Sequence, residues 1–163
     1  AVSSSGSCRL CMVELREGDW SKLVASCIYP VKEGINIYTE TSKVHNVRRW
    51  ILEMLLASCP ASEEIRKLAA KHGVLSTRFP IHDPDQSCLI CGLCQKVCEE
   101  VVGLSAISII DRGVHKKVGT PFLRPSDICV ACGSCVTICP TGAMQKIFDT
   151  VRGEPKLPLT QLA

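Results

Sequence analysis

Aromatic residues are nearly missing from this 163-residue chain, with Phe, Trp and Tyr together making up only 4% of it. Its interior must therefore draw on Val, Ile, Leu and Ala rather than on large rings. Long apolar runs are missing too. None approaches the roughly 18 residues of a membrane helix, so no direct membrane span is expected. Charge of one sign is not in excess: the net value is +3, spread without a basic stripe, and nucleic acid is not an expected partner. There is no nucleophile–base pair and no glycine-rich nucleotide loop, hence no visible catalytic constellation. No signal peptide precedes the first motif. The chain opens at Ala1 rather than at a methionine, and AVSSSGS runs straight into a cysteine pair, as expected of a piece of a longer polypeptide.

Cysteine, by contrast, is abundant, with 12 in the chain. Such a count could describe a secreted disulfide scaffold. The repeated three-residue spacing and the lack of a signal peptide instead fit metal ligation in a reducing cytoplasm. Cys88, Cys91, Cys94 and Cys98 read C-x2-C-x2-C-x3-C, and Cys129, Cys132, Cys135 and Cys139 repeat that spacing ahead of Pro140. This pattern holds [4Fe–4S] clusters in two-cluster ferredoxins, where the fourth cysteine of each run ligates the other cluster. The spacing assigns Cys88, Cys91, Cys94 and Cys139 to one cube, and Cys129, Cys132, Cys135 and Cys98 to the other. Zinc is the bland alternative, weakened because zinc sites usually separate their cysteine pairs by a longer loop. Folding is expected to depend on the bound groups.

A third group, Cys8, Cys11 and Cys27, reads C-x2-C-x15-C. Three thiolates fall one short of a plant-type [2Fe–2S] site, whose remaining cysteine precedes the close pair. Zinc or free thiols are the alternatives on spacing alone. The small residues Ser3–Ser7 suit a loop wrapped around a binuclear cluster, with Gly6 letting the backbone approach and Arg9 adding positive charge.

The pattern along the chain is α+β. Met12–Leu15 and Leu23–Ser26 read as strands around a turn at Gly18-Asp19, with a third strand at Ile35, Ile37 and Tyr38. Val44, Val47, Ile51, Met54 and Leu55 recur at helical spacing after a cap at Thr41 or Ser42, and Pro60 ends the run. A second helix spans Ser62–His72, closed by Gly73, with Ile65, Leu68 and Ala69 apolar. Ala106–Ile110 and Val114–Val118 flank Asp111-Arg112-Gly113 as a hairpin. Ile90, Val97, Ile128, Val130, Val136 and Ile138 are expected in the core, keeping water from the clusters. Cys59 reads as a buried or helix-end free thiol, the four histidines as surface or packing residues, and Glu99-Glu100 as a solvated helix end. The domains expected are 1–41, a partial [2Fe–2S] domain; 42–87, a helical linker; 88–148, the two-cluster domain; and 149–163, a tail or linker.

GSCRLCMVEL, LVASCIYPV, INIYTETSKV and the helix after them resemble the N-terminal ferredoxin-type domain of one family of iron–sulfur proteins. SCLICGLCQKVCEEVVG through ICVACGSCVTICPTGAM resembles the same family's two-cluster domain. That family includes the complex I large iron–sulfur subunit, the small diaphorase subunit of NAD-reducing hydrogenases, the N-terminal part of [FeFe] hydrogenases, and iron–sulfur subunits of NAD-linked formate dehydrogenases. The resemblance implies an N-terminally incomplete β-grasp [2Fe–2S] domain, a helical linker and a bacterial-type two-[4Fe–4S] ferredoxin domain. It places the missing ligand about 10 residues upstream of Cys8. It also implies a non-catalytic electron relay in the cytoplasm between a flavin- or NAD(P)H-binding subunit and a catalytic redox subunit. The rival readings are the relay part of a longer catalytic polypeptide such as an [FeFe] hydrogenase, and a free diffusible ferredoxin. One departure stands out. The family's H-x3-C-x2-C-x5-C motif is replaced by LLASCPASEEIRKLAAKHGV, and neither Cys59 nor His45, His72 or His82 has the required spacing. That points toward relatives lacking the extra cluster, such as soluble NAD-linked or electron-bifurcating complexes.

Overall fold

The computed structural model describes residues 2–152. The chain divides into two compact units, Ser4–Cys91, and Gly92 onward together with the first three residues.

In the first unit, β1 (Met12–Glu17) and β2 (Trp20–Ala25) form an antiparallel hairpin, with Met12 opposite Ala25 and Glu17 opposite Trp20. Gly18 supplies the left-handed turn at φ 57° that so short a connection requires. β3 (Asn36–Tyr38) pairs with the other edge of β1, giving the order β2-β1-β3. Val13, Leu15 and Val24 bury together, with Tyr29 and Ile35 against them. Glu14 alternates to the opposite face, yet its side chain is only 1% exposed. Its carboxylate is held by Arg16 at 3.2 Å and Lys43 at 3.3 Å. Lys43 also donates to the Ser21 hydroxyl at 2.8 Å, so one cation ties the start of the following helix to β1 and β2.

That helix, α1 (Ser42–Ser58), begins where the Thr41 hydroxyl accepts from the Val44 N–H at 3.3 Å. Arg48 reaches back to the Met12 carbonyl at 2.9 Å. α2 (Glu63–Lys71) is capped by Ser62, carries Glu63 and Glu64 in its first turn and Lys71 in its last, and stops at left-handed Gly73. Between them lies a core of Leu52, Leu56, Cys59, Ile65 and Ala69. Met54 is not part of it. The buried stripe of α1 runs through Ile51, Leu52 and Leu56, because that face meets α2, and Met54 points to solvent.

The second unit contains α3 (Leu93–Lys96), a π-helical turn (Val97–Val102), β4 (Ser108–Ile110), β5 (Lys117–Gly119), α4 (Ser134–Thr137) and α5 (Ala143–Arg152). β4 and β5 pair antiparallel with Ile109 opposite Val118. The connection is longer than Asp111-Arg112-Gly113, because a 3-10 turn at Gly113–His115 delays the second strand to Lys117. Val97, Ala106, Ile107, Val118, Ala143 and Met144 are buried. Of the residues expected in the core around the cysteines only Val97 is buried; Ile90, Val136 and Ile138 are half-buried, and Ile128 is 53% exposed and Val130 65%, because they flank a cysteine at the surface end of its loop. α5 continues past residue 148, and the tail from 153 onward lies outside the described residues. No helix among the described residues is long and apolar enough to cross a membrane.

Hydrogen bonds, led by the one from Arg16, hold the Glu14 carboxyl at about 2, below its ordinary 4.5. Its contribution to stability is therefore complete above about pH 4.5 and fades as pH falls toward about 2. Glu14→Gln should lower the thermal midpoint at neutral pH. The gap from wild type should stay constant down to about pH 5 and narrow below it, read by circular dichroism.

Candidate iron–sulfur sites

The tandem cysteine runs share one backbone device. In Cys88–Cys94 the residues on either side of Cys91, Ile90 and Gly92, have φ of 53° and 80°. In Cys129–Cys135 the equivalent residues, Ala131 and Gly133, have φ of 56° and 73°. Left-handed backbone costs a residue with a Cβ about 1–2 kcal/mol, so Ile90 and Ala131 carry strain that their loops must offset. Turns of this kind can direct backbone N–H groups toward an anion. The Ile90 N–H already points to Cys88 Sγ at 3.4 Å.

In the second unit Cys98, Cys129, Cys132 and Cys135 line one small cavity of about 20 Å³. Apolar side chains, among them Val102, Leu104, Ile107 and Phe148, supply most of the remaining wall. Cys139 is not among the lining residues, whereas Cys98, from the other run, is. Cys98 gets there on the π-turn, whose wide winding ends at left-handed Gly103. Its sulfur accepts from the Ala106 N–H at 3.3 Å. Burial pushes the Cys135 thiol above its ordinary pKa, and the neighbouring Cys132 and Cys129 push it further. Three thiolates this close do not ionise together in an apolar pocket unless a cationic centre joins them. The donor set, all sulfur in an apolar wall with N–H groups directed at it, fits an iron–sulfur cluster.

Cys8, Cys11 and Cys27 come together at the open end of the sheet in the first unit. Burial works to raise the Cys11 thiol, but hydrogen bonds from Cys27 and Ser26 outweigh it, and the net shift is downward. Cys27 is raised, first by its hydrogen bond with Cys11, while the Gly6 backbone works the other way. Gly6 is favoured here by its φ of 63°; a Cβ would also come 2.8 Å from Ile28 Cδ1, the tip of an exposed side chain that can swing aside.

The helical core reaches both loops of this unit. Leu10, between Cys8 and Cys11, and Leu89, between Cys88 and Cys91, pack against the same residues of α1 and α2. Ser5 adds a hydrogen bond to the Cys91 carbonyl at 3.0 Å. Gln86, which sequence reasoning missed, ties Cys88 to the corner between the helices. Its carbonyl accepts from Ala61 N–H at 3.0 Å, and its side chain accepts from Cys88 N–H at 2.9 Å. The available signal was an amide side chain two residues ahead of a ligand, the spacing at which a side chain can cap its own chain. Cys59 is a fully buried helix-end thiol that donates to the Leu55 carbonyl at 3.1 Å, and burial raises it to about 11. Glu100 is not merely solvated, since Lys96 pairs with it at 3.3 Å and Ser3 bonds to it through N–H and hydroxyl. All twelve cysteines are free of disulfides; Cys88 and Cys91 lie in the first unit, Cys94 and Cys139 in the second.

These features are similar to those of iron–sulfur proteins. Residues 1–42 match a 2Fe-2S iron-sulfur cluster binding domain, and residues 87–143 match a 4Fe-4S dicluster domain. The chain is homologous to subunits of oxidoreductases of the kind that its sequence resembles. It is 32% identical to the NADPH-Fe(3+) oxidoreductase subunit alpha of Geobacter sulfurreducens, over 94% of this chain and 21% of that protein. It is 30% identical to the NADP-reducing hydrogenase subunit HndD of Solidesulfovibrio fructosivorans, over 87% of this chain and 28% of that protein. With an NADH-quinone oxidoreductase subunit of Rickettsia typhi the identity is 30%, over 86% of this chain and 24% of that protein. The crystal structure of an NAD+-reducing [NiFe]-hydrogenase in the H2-reduced state superposes with a TM-score of 0.68 at 26% identity, covering 86% of this chain and 69% of that one. The chain thus spans about a quarter of the curated relatives' length.

Gln86→Ala removes the acceptor of the Cys88 N–H, a loss of about 0.5–1.5 kcal/mol. Potentiometric EPR should show one [4Fe–4S] signal shifted and more readily lost, with the other unchanged. Gln86→Glu, which keeps an acceptor, should retain the cluster.

Proposed function

We propose that this chain relays single electrons between a flavin- or NAD(P)H-handling subunit and a catalytic subunit of a soluble, cytoplasmic, multi-subunit oxidoreductase. The observation that carries this reading is the apolar cavity lined by Cys98 and Cys129, Cys132 and Cys135, within the region that matches a dicluster domain. In this proposal those four hold one [4Fe–4S] cluster. By the same crossed spacing, Cys88, Cys91, Cys94 and Cys139 hold a second. Cys8, Cys11 and Cys27 hold a [2Fe–2S] cluster on a β-grasp domain, with a fourth ligand supplied from upstream. Bound there, the clusters supply one-electron transfer. The chain's own residues hold the sulfurs, keep water from them with Val102, Leu104 and Ile107, and direct the N–H groups of Ile90 and Ala106 at Cys88 and Cys98. Those N–H groups raise a cluster's potential by stabilising its more negative state, while apolar burial lowers it.

The similar chains are subunits whose names pair NAD(P)H with iron, hydrogen or quinone, which supports a place between a nicotinamide-linked partner and another redox centre. A second reading, the relay part of a longer catalytic polypeptide, is favoured by the small share of each relative that the chain covers. The mass of the intact polypeptide separates the two.

Iron and acid-labile sulfide analysis of the anaerobically purified full-length protein should find about ten of each, two from the binuclear centre and four from each cube. About eight would leave the first site empty, and zinc without sulfide would overturn the reading. Cys98→Ser should abolish the EPR signal of the cube held by Cys129, Cys132 and Cys135. Loss of the other cube instead would refute the crossed ligation.

A further inference from the structure

Within the scattered charge of the chain, one exposed segment is locally basic. Residues 112–124 hold Arg112, Lys116, Lys117 and Arg124 and no Asp or Glu. Of these four, Lys117 is ion-paired to Asp111 at 3.3 Å. The same segment carries Phe122, 91% exposed, with exposed Leu123 beside it. Both have left-handed backbone, at φ of 57° and 54°. Neither is glycine, and Phe122 gains no packing in return for the strain.

The turn is nevertheless well built. Leu123 N–H donates to the Thr120 carbonyl at 3.0 Å, and the Thr120 hydroxyl closes the loop onto the Arg124 carbonyl. The Leu123 side chain lies over Gly119, where a Cβ would come 3.1 Å from Leu123 Cδ2. A hydrogen-bonded turn that spends strain to present an aromatic ring to solvent is a functional outlier rather than a relaxed loop. Aromatic and Arg side chains are the usual anchors of protein interfaces. From this turn the chain runs directly into the loop of Cys129, where Ile128 and Val130 are exposed and Cys132 also reaches the surface.

We infer that the Thr120–Arg124 turn is the docking tip through which the site of Cys129, Cys132 and Cys135 meets its redox partner. The partner is a separate protein subunit presenting an apolar recess for Phe122 inside a ring of Asp and Glu that faces Arg112, Lys116 and Arg124. The basic rim selects an acidic surface and speeds encounter, while the ring fixes the register. The role as an electron-exchange surface rests on the relay reading above.

The test uses the full-length polypeptide in its complex, tagged and purified from the organism that makes it. Wild type is compared with Phe122→Asp and with the triple variant Arg112→Glu, Lys116→Glu, Arg124→Glu. These side chains lie outside the buried core, and iron, sulfide and EPR are measured first on each. A photoactivatable residue at position 122 then reports what lies against the tip. The expected result is a cross-link to an acidic-rimmed apolar site on another cofactor-bearing subunit. Recovery of that subunit should fall at least tenfold in both variants at unchanged cluster content. Cross-links to lipid, to RNA or to another part of the same polypeptide would overturn the proposal, as would full recovery of the subunit in both variants. Absence of clusters from wild type would overturn the relay reading instead, and the cross-link would then judge the docking surface alone.

Discussion

Leu10 and Leu89 pack, half-buried, against one hydrophobic core between α1 and α2, and the cysteine loops of the Ser4–Cys91 unit rest on that packing. Each leucine lies inside a C-x2-C turn, so burying it places a thiol on either side. Complete burial of such a side chain contributes about 1.5–3 kcal/mol, and the partial burial of Leu10 and Leu89 supplies a share of that against the strain of the left-handed residues in the turns. The cap at Ser62 and the bridge from Gln86 to Ala61 hold the corner on which Leu89 rests. The helical segment is thus the seat of two cysteine loops, and its apolar stripe is part of the metal chemistry.

Around the sulfurs the electrostatics run against the fold. Thiols gathered in an apolar cavity oppose one another's ionisation, as the raised Cys135 shows. The chain answers with backbone N–H groups rather than with cationic side chains, since neutral donors stabilise sulfur without bringing a counter-charge that itself needs solvation. This economy explains why so few charged residues line the cavity, and why Val, Leu and Ile can dominate its wall.

Much of this was legible in the sequence because it rests on spacing. The Thr41 cap, Gly73 and the strands of the first sheet obey local rules, and the structure places them accordingly, with Ser62 serving as the cap of α2 rather than its first residue. What was not legible depends on partners distant in sequence. Met54 and Leu52 are equally apolar, and only the position of α2 decides which is buried. Ile128 and Val130 look like core from composition, but the loop around Cys129 turns them outward. The left-handed backbone at Ile90 and Ala131 carries no sequence mark, because neither residue favours it. Glu14 reads as an ordinary solvent-facing strand position until Lys43 arrives from the helix to cover it.

The π-turn at Val97–Val102 has a consequence for how this stretch can change in length. A π-turn contains one residue more than the α-helical turn it replaces, and its Cys98 carbonyl accepts from the N–H groups of both Gly103 and Leu104. Deleting a residue between Cys98 and Gly103 would let the turn relax to α-helical winding and rotate everything beyond it by about 100°. The Ala106 N–H would leave the Cys98 sulfur, and Leu104 would leave the cavity wall. Insertions and deletions that a surface turn absorbs freely are therefore closed to this segment, although Glu99, Glu100 and Val101 all face solvent.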